Sequence, residues 1–549
     1  MGLLACVAVC GGAEPPVNLG PAAHDSSLLQ LDPATLISVY LNTNDTRVSH
    51  QVSTDGGRSW QPAVPGEVRW AAKVMRDRDG QLQAAWMIVR GNGRKPAVDK
   101  FIDIWHAKTT GKDLKWGPAH CVWQGYVGAI CGRFTQLPSG RIILPFARWL
   151  PEEPRGPPFG CNASSVLYSD DGGQTWAQSP ARLISPCPKD YNGDSVGAVE
   201  PVVLELKDGR VWMLMRTQTG FLYESFSKDG VNWSPAQPSR FHSSTGPCEL
   251  GRLADGRIVL FWNNCELPPR VNGDGVYGGR DALHAAISRD DGKTWKGFRE
   301  VYLDPTRNQS PPRRGDRGTA YPQLQRLEGD RMFVAAGQGT KLRVMLAVDP
   351  NWIEASKRAD DFADGLTNWS VFKPFGPAQG WWRDRVQGCA LMAHPTKPGK
   401  KVLHLGKPDE KDADGAMWNF PAGRAGTVVI SFQVNPGYQG AVFALCDRFF
   451  DPTDEQGDRG AVCSVALNSD YRLNEHTKLA PDRWHRLEIT WNAEKHVAAL
   501  KLDGTDAGAL ALKGEIRNGC CYLRLRSAAK GIDTAGFVVE SVQAEVETP

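Results

Sequence analysis

One short turn pattern recurs along the first 300 residues, and it constrains the fold more than any other feature of the chain. It reads Ser53-Thr-Asp55-Gly-Gly57-Arg-Ser-Trp60, Ser169-Asp-Asp171-Gly-Gly173-Gln-Thr-Trp176 and Ser288-Arg-Asp290-Asp-Gly292-Lys-Thr-Trp295, with a shortened copy at Ser227-Lys-Asp229-Gly230-Val-Asn-Trp233. Each copy lies between apolar runs. Asp accepts hydrogen bonds from nearby backbone N–H groups, Gly supplies positive φ, and Trp packs back on the strands, so the pattern is a hairpin staple and carries no catalytic chemistry. Trp116 and Trp352 extend the tryptophan series into copies that have lost their Ser and Asp, giving six tryptophans at intervals of 56 to 62 residues.

Each unit holds a second pattern, an apolar strand, a turn and another apolar strand: 134–137 then 142–145, 202–206 then 211–215, 250–253 then 258–261. Short strands, Gly and Asp turns and a near-constant period predict four-stranded antiparallel blades set radially, a six-bladed β-propeller over residues 16–355. A helical solenoid is excluded because no 3.6-residue periodicity runs through the units. The period stops after Ala355. Alternating runs at 484–491 and 497–502, closed by Asp503-Gly504, predict a separate β-sandwich over 360–549. The expected fold class is therefore all-β, in two domains, although 549 residues at roughly 150 per domain would allow three or four. The repeat also accounts for much of the 58 Gly and 19 Trp.

The formal charge is only +3, which gives no general footprint for nucleic acid or an anionic membrane. Any charged ligand must be met locally. The one early apolar run, 3–10, is far below the roughly 20 residues of a membrane span. With Gly11-Gly12-Ala13 it resembles the end of a secretory signal but lacks the positively charged n-region, so residues 1–15 are expected to be a signal remnant or leader, with a truncated or misassigned start as the alternative; the leader reading makes the protein secreted or periplasmic, with Leu4-Ala5-Cys6 allowing a lipid anchor. The 13 Cys form no C-x-x-C pair, so zinc-ribbon and thioredoxin-like readings have no support. In an exported chain some would pair, for example among Cys121, Cys131, Cys161 and Cys187.

In a propeller the ligand sits over the axis, where the innermost strands converge. Taking the Leu before each first turn as the anchor (Leu31, Leu137, Leu206, Leu253, Leu327), the residue six positions earlier is Asp25, Cys131, Glu200, Pro247 or Tyr321. The second repeat puts Arg69 or Ala71 there. A ring with Asp25, Glu200 and Tyr321, and with His24 and Arg69 beside them, is far more polar than a structural plug requires and points to an active site.

The Ser-x-Asp-x-Gly-x-x-Trp copies resemble the Asp-box of the sialidase (neuraminidase) superfamily, and the likeness covers the propeller. Asp-boxes also occur in unrelated propellers, so functional residues need their own matches. The run from Glu200 to Arg216 resembles the segment in which a Glu opens the fourth inner strand and an Arg ends the next. Gly279-Arg280 resembles the Arg that precedes a strand leading into an Asp-box, and Ala320-Tyr321-Pro-Gln-Leu324 resembles the sixth-blade segment with the nucleophilic Tyr. The C-terminal part resembles a concanavalin- or laminin-G-like jelly roll, as in many sugar-active enzymes.

This resemblance implies an exo-α-sialidase that removes terminal α-linked sialic acid with retention through a tyrosyl intermediate, without cofactor or metal. The chemistry suits the residue types. The anomeric carbon of sialic acid bears a carboxylate, which would repel a carboxylate nucleophile, whereas a neutral Tyr avoids the repulsion. Phenol has a pKa near 10, so Tyr321 needs a base, and Glu200 fills that role. Arg216 and Arg280 would hold the substrate carboxylate by forked hydrogen bonds; the plainer alternative is an Arg–Glu pair between blades. The family's first-blade Arg is missing. Ala23-His24-Asp25 stands in its place, leaving Arg69, Arg133 or a His24 hydrogen bond to compensate, with Arg69 favoured. Asp45 is the positional candidate for the general acid and base, with Asp25 competing, and Gln323 is expected to share a strand face with Tyr321. The expected partners are sialylated or other acidic glycans. Two alternatives stand beside the sialidase: a glycosidase or lyase on another acidic sugar, and a non-catalytic carbohydrate-binding propeller. Oligomeric state is not legible.

Overall fold

The computed structural model describes residues 13–21, 27–32, 34–42, 48–55, 59, 61, 68–90, 101–110, 115–125, 127–130, 132–150, 161–186, 197–266, 279–309, 318–326, 331–337, 343–379, 382–474 and 477–547. It is all-β, a six-bladed propeller followed by a β-sandwich. Blade 1 has inner strand Ser27–Gln30, then Leu36–Asn42 and Val48–Ser53. Blade 2 runs Lys73–Arg76, Leu82–Arg90, Phe101–Thr110 and His120–Gly125. In blade 3, Val127–Ala129 and Thr135–Gln136 share the inner edge of Ile142–Leu150, which pairs with Cys161–Ser169. Blade 4 is Val199–Glu205, Val211–Arg216, Phe221–Ser227 and Gln237–His242; blade 5 is Glu249–Arg252, Ile258–Trp262, Ala282–Ser288 and Lys296–Leu303. Blade 6 takes Gln323–Arg326, Met332–Ala336 and Val344–Val348 from its own repeat, and its outer strand from the start of the chain, Val17–Pro21. This closure pairs an edge that would otherwise stay open and ties the first blade to the last.

The repeated turns behave as their chemistry requires. Asp171 Oδ1 accepts from Ser169 Oγ at 2.8 Å and from the Thr175 N–H at 2.9 Å, while Trp176 Nε1 donates to Gly173 O at 3.2 Å. Ser288, Asp290, Thr294 and Trp295 repeat the arrangement in blade 5. Gly173 and Gly292 have φ of 87° and 89°, a backbone region open to Gly at no steric penalty. In blade 6 the box has become a helical turn, Pro350–Ile353, capped by Asp349, whose side chain accepts from the Asn351 N–H, and Trp352 rides on it. The described cysteines, Cys121 and Cys161 among them, are free, so no disulfide forms between those two; Cys131 and Cys187 lie outside the described residues.

Beyond the propeller, two antiparallel sheets face each other. One is built around Ala425–Val434, Trp484–Asn492 and Asp533–Val546; the other around Gly415–Gly423, Ala441–Cys446 and Cys520–Ser527. Inward residues such as Trp418, Phe432, Phe443, Leu487, Trp491 and Leu525 fill the space between them. The second sheet docks on blades 4 and 5: Phe449, Phe450, Cys521 and Tyr522 share one apolar cluster with Trp212, Phe241, Trp262 and Phe298. A hairpin, Phe372–Gln379 with Trp382–Gln387, carries Arg385 to Asp281 of blade 5, a pair 2.6 Å apart with both side chains 1% exposed.

Candidate active site

Glu200 and Tyr321 come from blades 4 and 6, 121 residues apart, and meet at the axis, where the Tyr321 hydroxyl donates to Glu200 Oε1 at 3.1 Å. Arg216 closes the group. Its Nη1 donates to Glu200 Oε2 at 2.8 Å and lies 3.3 Å from Tyr321 Oη, while Nε and Nη2 both reach Thr245 Oγ1, at 3.1 and 2.9 Å. Strand pairing explains the proximity, because Arg216 ends the second strand of blade 4 opposite Val199, one residue before Glu200. Arg280 arrives from blade 5, just before Ala282–Ser288. Its guanidinium lies 5.2 Å from the centre of the Tyr321 ring, and its Nη2 donates to Thr245 O at 2.8 Å. The Arg385–Asp281 pair anchors the residue next to Arg280 from behind, so the sandwich side of the molecule braces the site.

Two backbone features went undetected in the sequence. Glu200 and Tyr321 both have φ of 54°, at corresponding places in their blades. A non-Gly residue in this region carries a penalty of about 1–3 kcal/mol and persists where surrounding contacts hold it. In blade 4 the register slips there, with Val199 opposite Arg216 but Val202 opposite Leu214. The slip aims Glu200 across the axis. Tyr321 likewise stands outside the strand that begins at Gln323, so the even-spacing argument that put Gln323 on its face does not run through it.

Glu200 is buried, which alone would raise its pKa. Arg216, by charge and hydrogen bond, then Arg280 and the Tyr321 hydroxyl more than offset the burial, and the net shift is downward. The carboxylate is thus held ionised beside a phenol that donates to it. Arg216 and the ring-facing Arg280 are placed where they could stabilise negative charge developing at the phenolic oxygen. This arrangement can transfer a proton and present a nucleophilic oxygen.

The remaining expected residues fall in three groups. His24, Asp25 and Asp45 lie outside the described residues. Arg69 belongs to Val68–Ala71, which pairs with the end of Leu36–Asn42; the strand extends the inner edge of blade 1 and is not the mouth of blade 2, as simple repeat counting puts it. Blade 2 instead starts its inner strand at Lys73. Arg133 and Gln323 both reach the axis. Arg133 Nε pairs with Glu249 Oε1 at 2.9 Å, and Gln323 Oε1 is buried without a hydrogen-bond partner among the described residues. Thr245, Lys73 and Glu249 escaped the sequence reading. Lys73 and Glu249 stand at the anchor-minus-four register, two places from the one chosen, so sampling the same face at the next level would have found them. No group of His, Cys, Asp and Glu suited to a metal ion occurs among the described residues, and none of their helices is long and apolar enough to cross a membrane.

Residues 75–334 match the family described as BNR repeat-like domain, and residues 51–62 match the BNR/Asp-box repeat. Among solved structures the chain is similar to Trypanosoma rangeli sialidase in complex with 2,3-difluorosialic acid as a covalent intermediate, at 11% identity over 95% of this chain and 91% of that one, with a TM-score of 0.40. It is also similar to a point mutant of NanB sialidase from Streptococcus pneumoniae (13% identity, 62% and 68% covered, TM-score 0.42) and to a protein of unknown function from Dyadobacter fermentans (15%, 61% and 99%, TM-score 0.43). No curated protein matches the sequence.

Proposed function

We propose, from the premise that this chain belongs to the sialidase-like superfamily of Asp-box propellers, that it is an exo-acting glycosidase releasing terminal α-linked sialic acid with net retention. The observation that carries the reading is the Tyr321–Glu200–Arg216 cluster. In the first step the Tyr321 oxygen attacks the anomeric carbon and its proton passes to Glu200, while the glycosidic C–O bond breaks and the leaving oxygen takes a proton from a general acid. Asp45 and Asp25 remain the candidates for that acid. Water then attacks the anomeric carbon of the tyrosyl-bound sugar and gives a proton to the deprotonated general acid, the bond to Tyr321 breaks as Glu200 returns its proton to the phenolic oxygen, and the sugar leaves with its original configuration. Arg216 acts throughout by holding Glu200 and Tyr321 in register, and Arg280 by facing the ring.

A related glycosidase on another acidic sugar is the second reading. It is favoured by Arg216 being only 4% exposed, with donors on each of its three nitrogens already directed to protein groups. Hydrolysis of an aryl α-sialoside by the wild type and by Tyr321→Phe decides. Turnover that disappears in Tyr321→Phe supports the reading. An inactive wild type sinks it, and equal turnover in both removes Tyr321 as the nucleophile.

A further inference from the structure

A cavity of about 510 Å³ opens where blades 5 and 6 meet the sandwich, and none of the axis residues Glu200, Arg216, Arg280 or Tyr321 lines it. Its walls come from the outer strand of blade 5, Lys296–Leu303, from the turn after it, from the segment leading into Val17–Pro21, and from Lys357–Asp360, the first strand of the sandwich. The volume falls within the roughly 300–1,000 Å³ typical of small-molecule sites, which concentrate at seams between domains.

Three guanidiniums gather at this seam, and among the described residues none is in ion-pair contact with a carboxylate. Arg307, 3% exposed, is saturated by neutral groups: it donates to Ser370 Oγ and to four backbone carbonyls, those of Asp304, Leu366, Thr367 and Trp369. Arg299, also 3% exposed, lies 3.5 Å from the centre of the Trp352 ring; its Nη1 donates to Trp352 O at 2.9 Å, and its Nε is buried without a hydrogen-bond partner. Arg358 lines the cavity, is partly exposed, and donates through Nη1 to Asn419 O at 2.7 Å, so Nε and Nη2 have no described partner. Carbonyls satisfy N–H groups but do not cancel charge, and a desolvated cation without a counterion is costly. Burial lowers the pKa of all three arginines, and repulsion from Arg358 adds to it at Arg299 and Arg307. Asp304 and Asp360 act on them through space, and Asp281 is already paired with Arg385. Glu300 is the one carboxylate among the lining residues. Its Oε1 accepts from Tyr522, and its Oε2 accepts from no described group. Three cations thus face one anion. Trp352, Leu303, Leu346 and Leu366 supply an apolar wall beside them.

We infer that the seam cavity is a second ligand site, separate from the axis, for a sulfate or phosphate ester carried on a hydroxylated ring. Arg358 takes the oxyanion in the field of Arg299 and Arg307, the ring packs on Trp352, and Glu300 Oε2 accepts from a ring hydroxyl. An inorganic anion alone would leave most of the volume unfilled, and a neutral sugar would leave the guanidiniums unmatched. The excess of two charges suits an ester group, since a phosphate monoester carries about −1.5 to −2. The site is independent of the chemistry at Tyr321.

Calorimetric titration of the full chain with N-acetylglucosamine 6-sulfate, N-acetylglucosamine 6-phosphate, neutral N-acetylglucosamine, D-glucuronic acid, and inorganic sulfate and phosphate tests it. At least one ester binds the wild type more tightly than the neutral sugar and than its own inorganic anion, and the two esters show which oxyanion is preferred. Arg358→Met weakens that ester by about tenfold or more without weakening the neutral sugar, and flattens the salt dependence. Trp352→Leu weakens the ester and the neutral sugar alike. Thermal midpoints confirm folding, and Arg358→Gln replaces Arg358→Met if the latter unfolds. Tyr321→Phe binds the ester as the wild type does, and Arg358→Met keeps whatever glycosidase activity the wild type has, so failure of the axial reading leaves this site standing. A wild type that binds neither ester overturns the inference, as does ester affinity unchanged in the Arg358 variant or lost in Arg280→Met instead. Tighter binding of glucuronic acid than of either ester overturns the assignment to this ligand class.

Discussion

Among the described residues two Glu–Tyr hydrogen bonds join parts distant in sequence, and they are opposites. At the axis, Tyr321 donates to Glu200 at 3.1 Å with Arg216 bound to both. At the seam between blade 5 and the sandwich, Tyr522 donates to Glu300 at 2.7 Å, and its oxygen also lies 2.5 Å from His284 Nε2. Burial raises the Glu300 pKa, and Tyr522, Arg358, Arg307 and Arg299 do not cancel it; at Glu200, Arg216 and Arg280 overturn the same penalty. Burial also pushes Tyr522 well above the ordinary phenol value and His284 down to about 3. One pair keeps a charged acceptor beside a half-buried phenol. The other seals its phenol under two packed units. Residue type alone therefore does not distinguish the proposed reacting pair from a structural staple; the nearest guanidinium and access to solvent do.

The contrast should be sharpest in exchanged phenylalanine variants. Tyr321→Phe is expected to lower kcat by at least about 10³-fold, the scale of losing a nucleophile, at a nearly unchanged thermal midpoint, while Tyr522→Phe keeps kcat per folded molecule. Equal loss of activity in both would erase the distinction. In denaturant titrations Tyr522→Phe is the damaging change, with about 1–3 kcal/mol lost as Glu300 and His284 lose their shared partner.

Arg216→Lys keeps the charge but not the fork, and a decrease of roughly tenfold to a hundredfold in kcat is expected from hydrogen bonds to charged groups. Wild-type kcat in this variant would show that position and not geometry matters there. The pH dependence of stability should run in opposite directions at the two pairs. Glu200 has a depressed folded pKa, so its contribution is present above the ordinary value of 4.5 and disappears as the pH falls through the folded value. Glu300 has a raised one, so its contribution is present below 4.5 and is lost as the pH rises. The wild-type advantage in thermal midpoint should then shrink on acidification against Glu200→Gln and on alkalinisation against Glu300→Gln. Slopes of the same sign would break the comparison. The smallest effect belongs to a residue of neither pair: Asp171→Ala, in an exposed box, should lower stability by about 1 kcal/mol and leave kcat alone.

Much of the architecture was legible because turns and strand alternation are local properties. Ser169, Asp171 and Trp176 form their staple within eight residues, so any chain carrying that pattern declares a hairpin, and six spaced tryptophans declare six units. The same counting brought Glu200 and Tyr321 to equivalent blade mouths. It misplaced Arg69, because an additional strand, Val68–Ala71, lengthens the edge of blade 1 and shifts where the second repeat begins. It also passed over Lys73 and Glu249, which belong to the next level of the same register.

The sequence by itself determined the period, the strand polarity and the order in which Glu200, Arg216, Arg280 and Tyr321 follow one another, all consequences of short-range backbone preference. Only the tertiary structure decided that Arg216 binds Glu200 and Tyr321 together, that both of the latter adopt left-handed backbone, and that Arg133 pairs with Glu249 across the axis. The reason is physical. Ring closure by Val17–Pro21 converges six edges on one axis, so side chains more than a hundred residues apart share a low-dielectric space in which charge is set by neighbours in three dimensions.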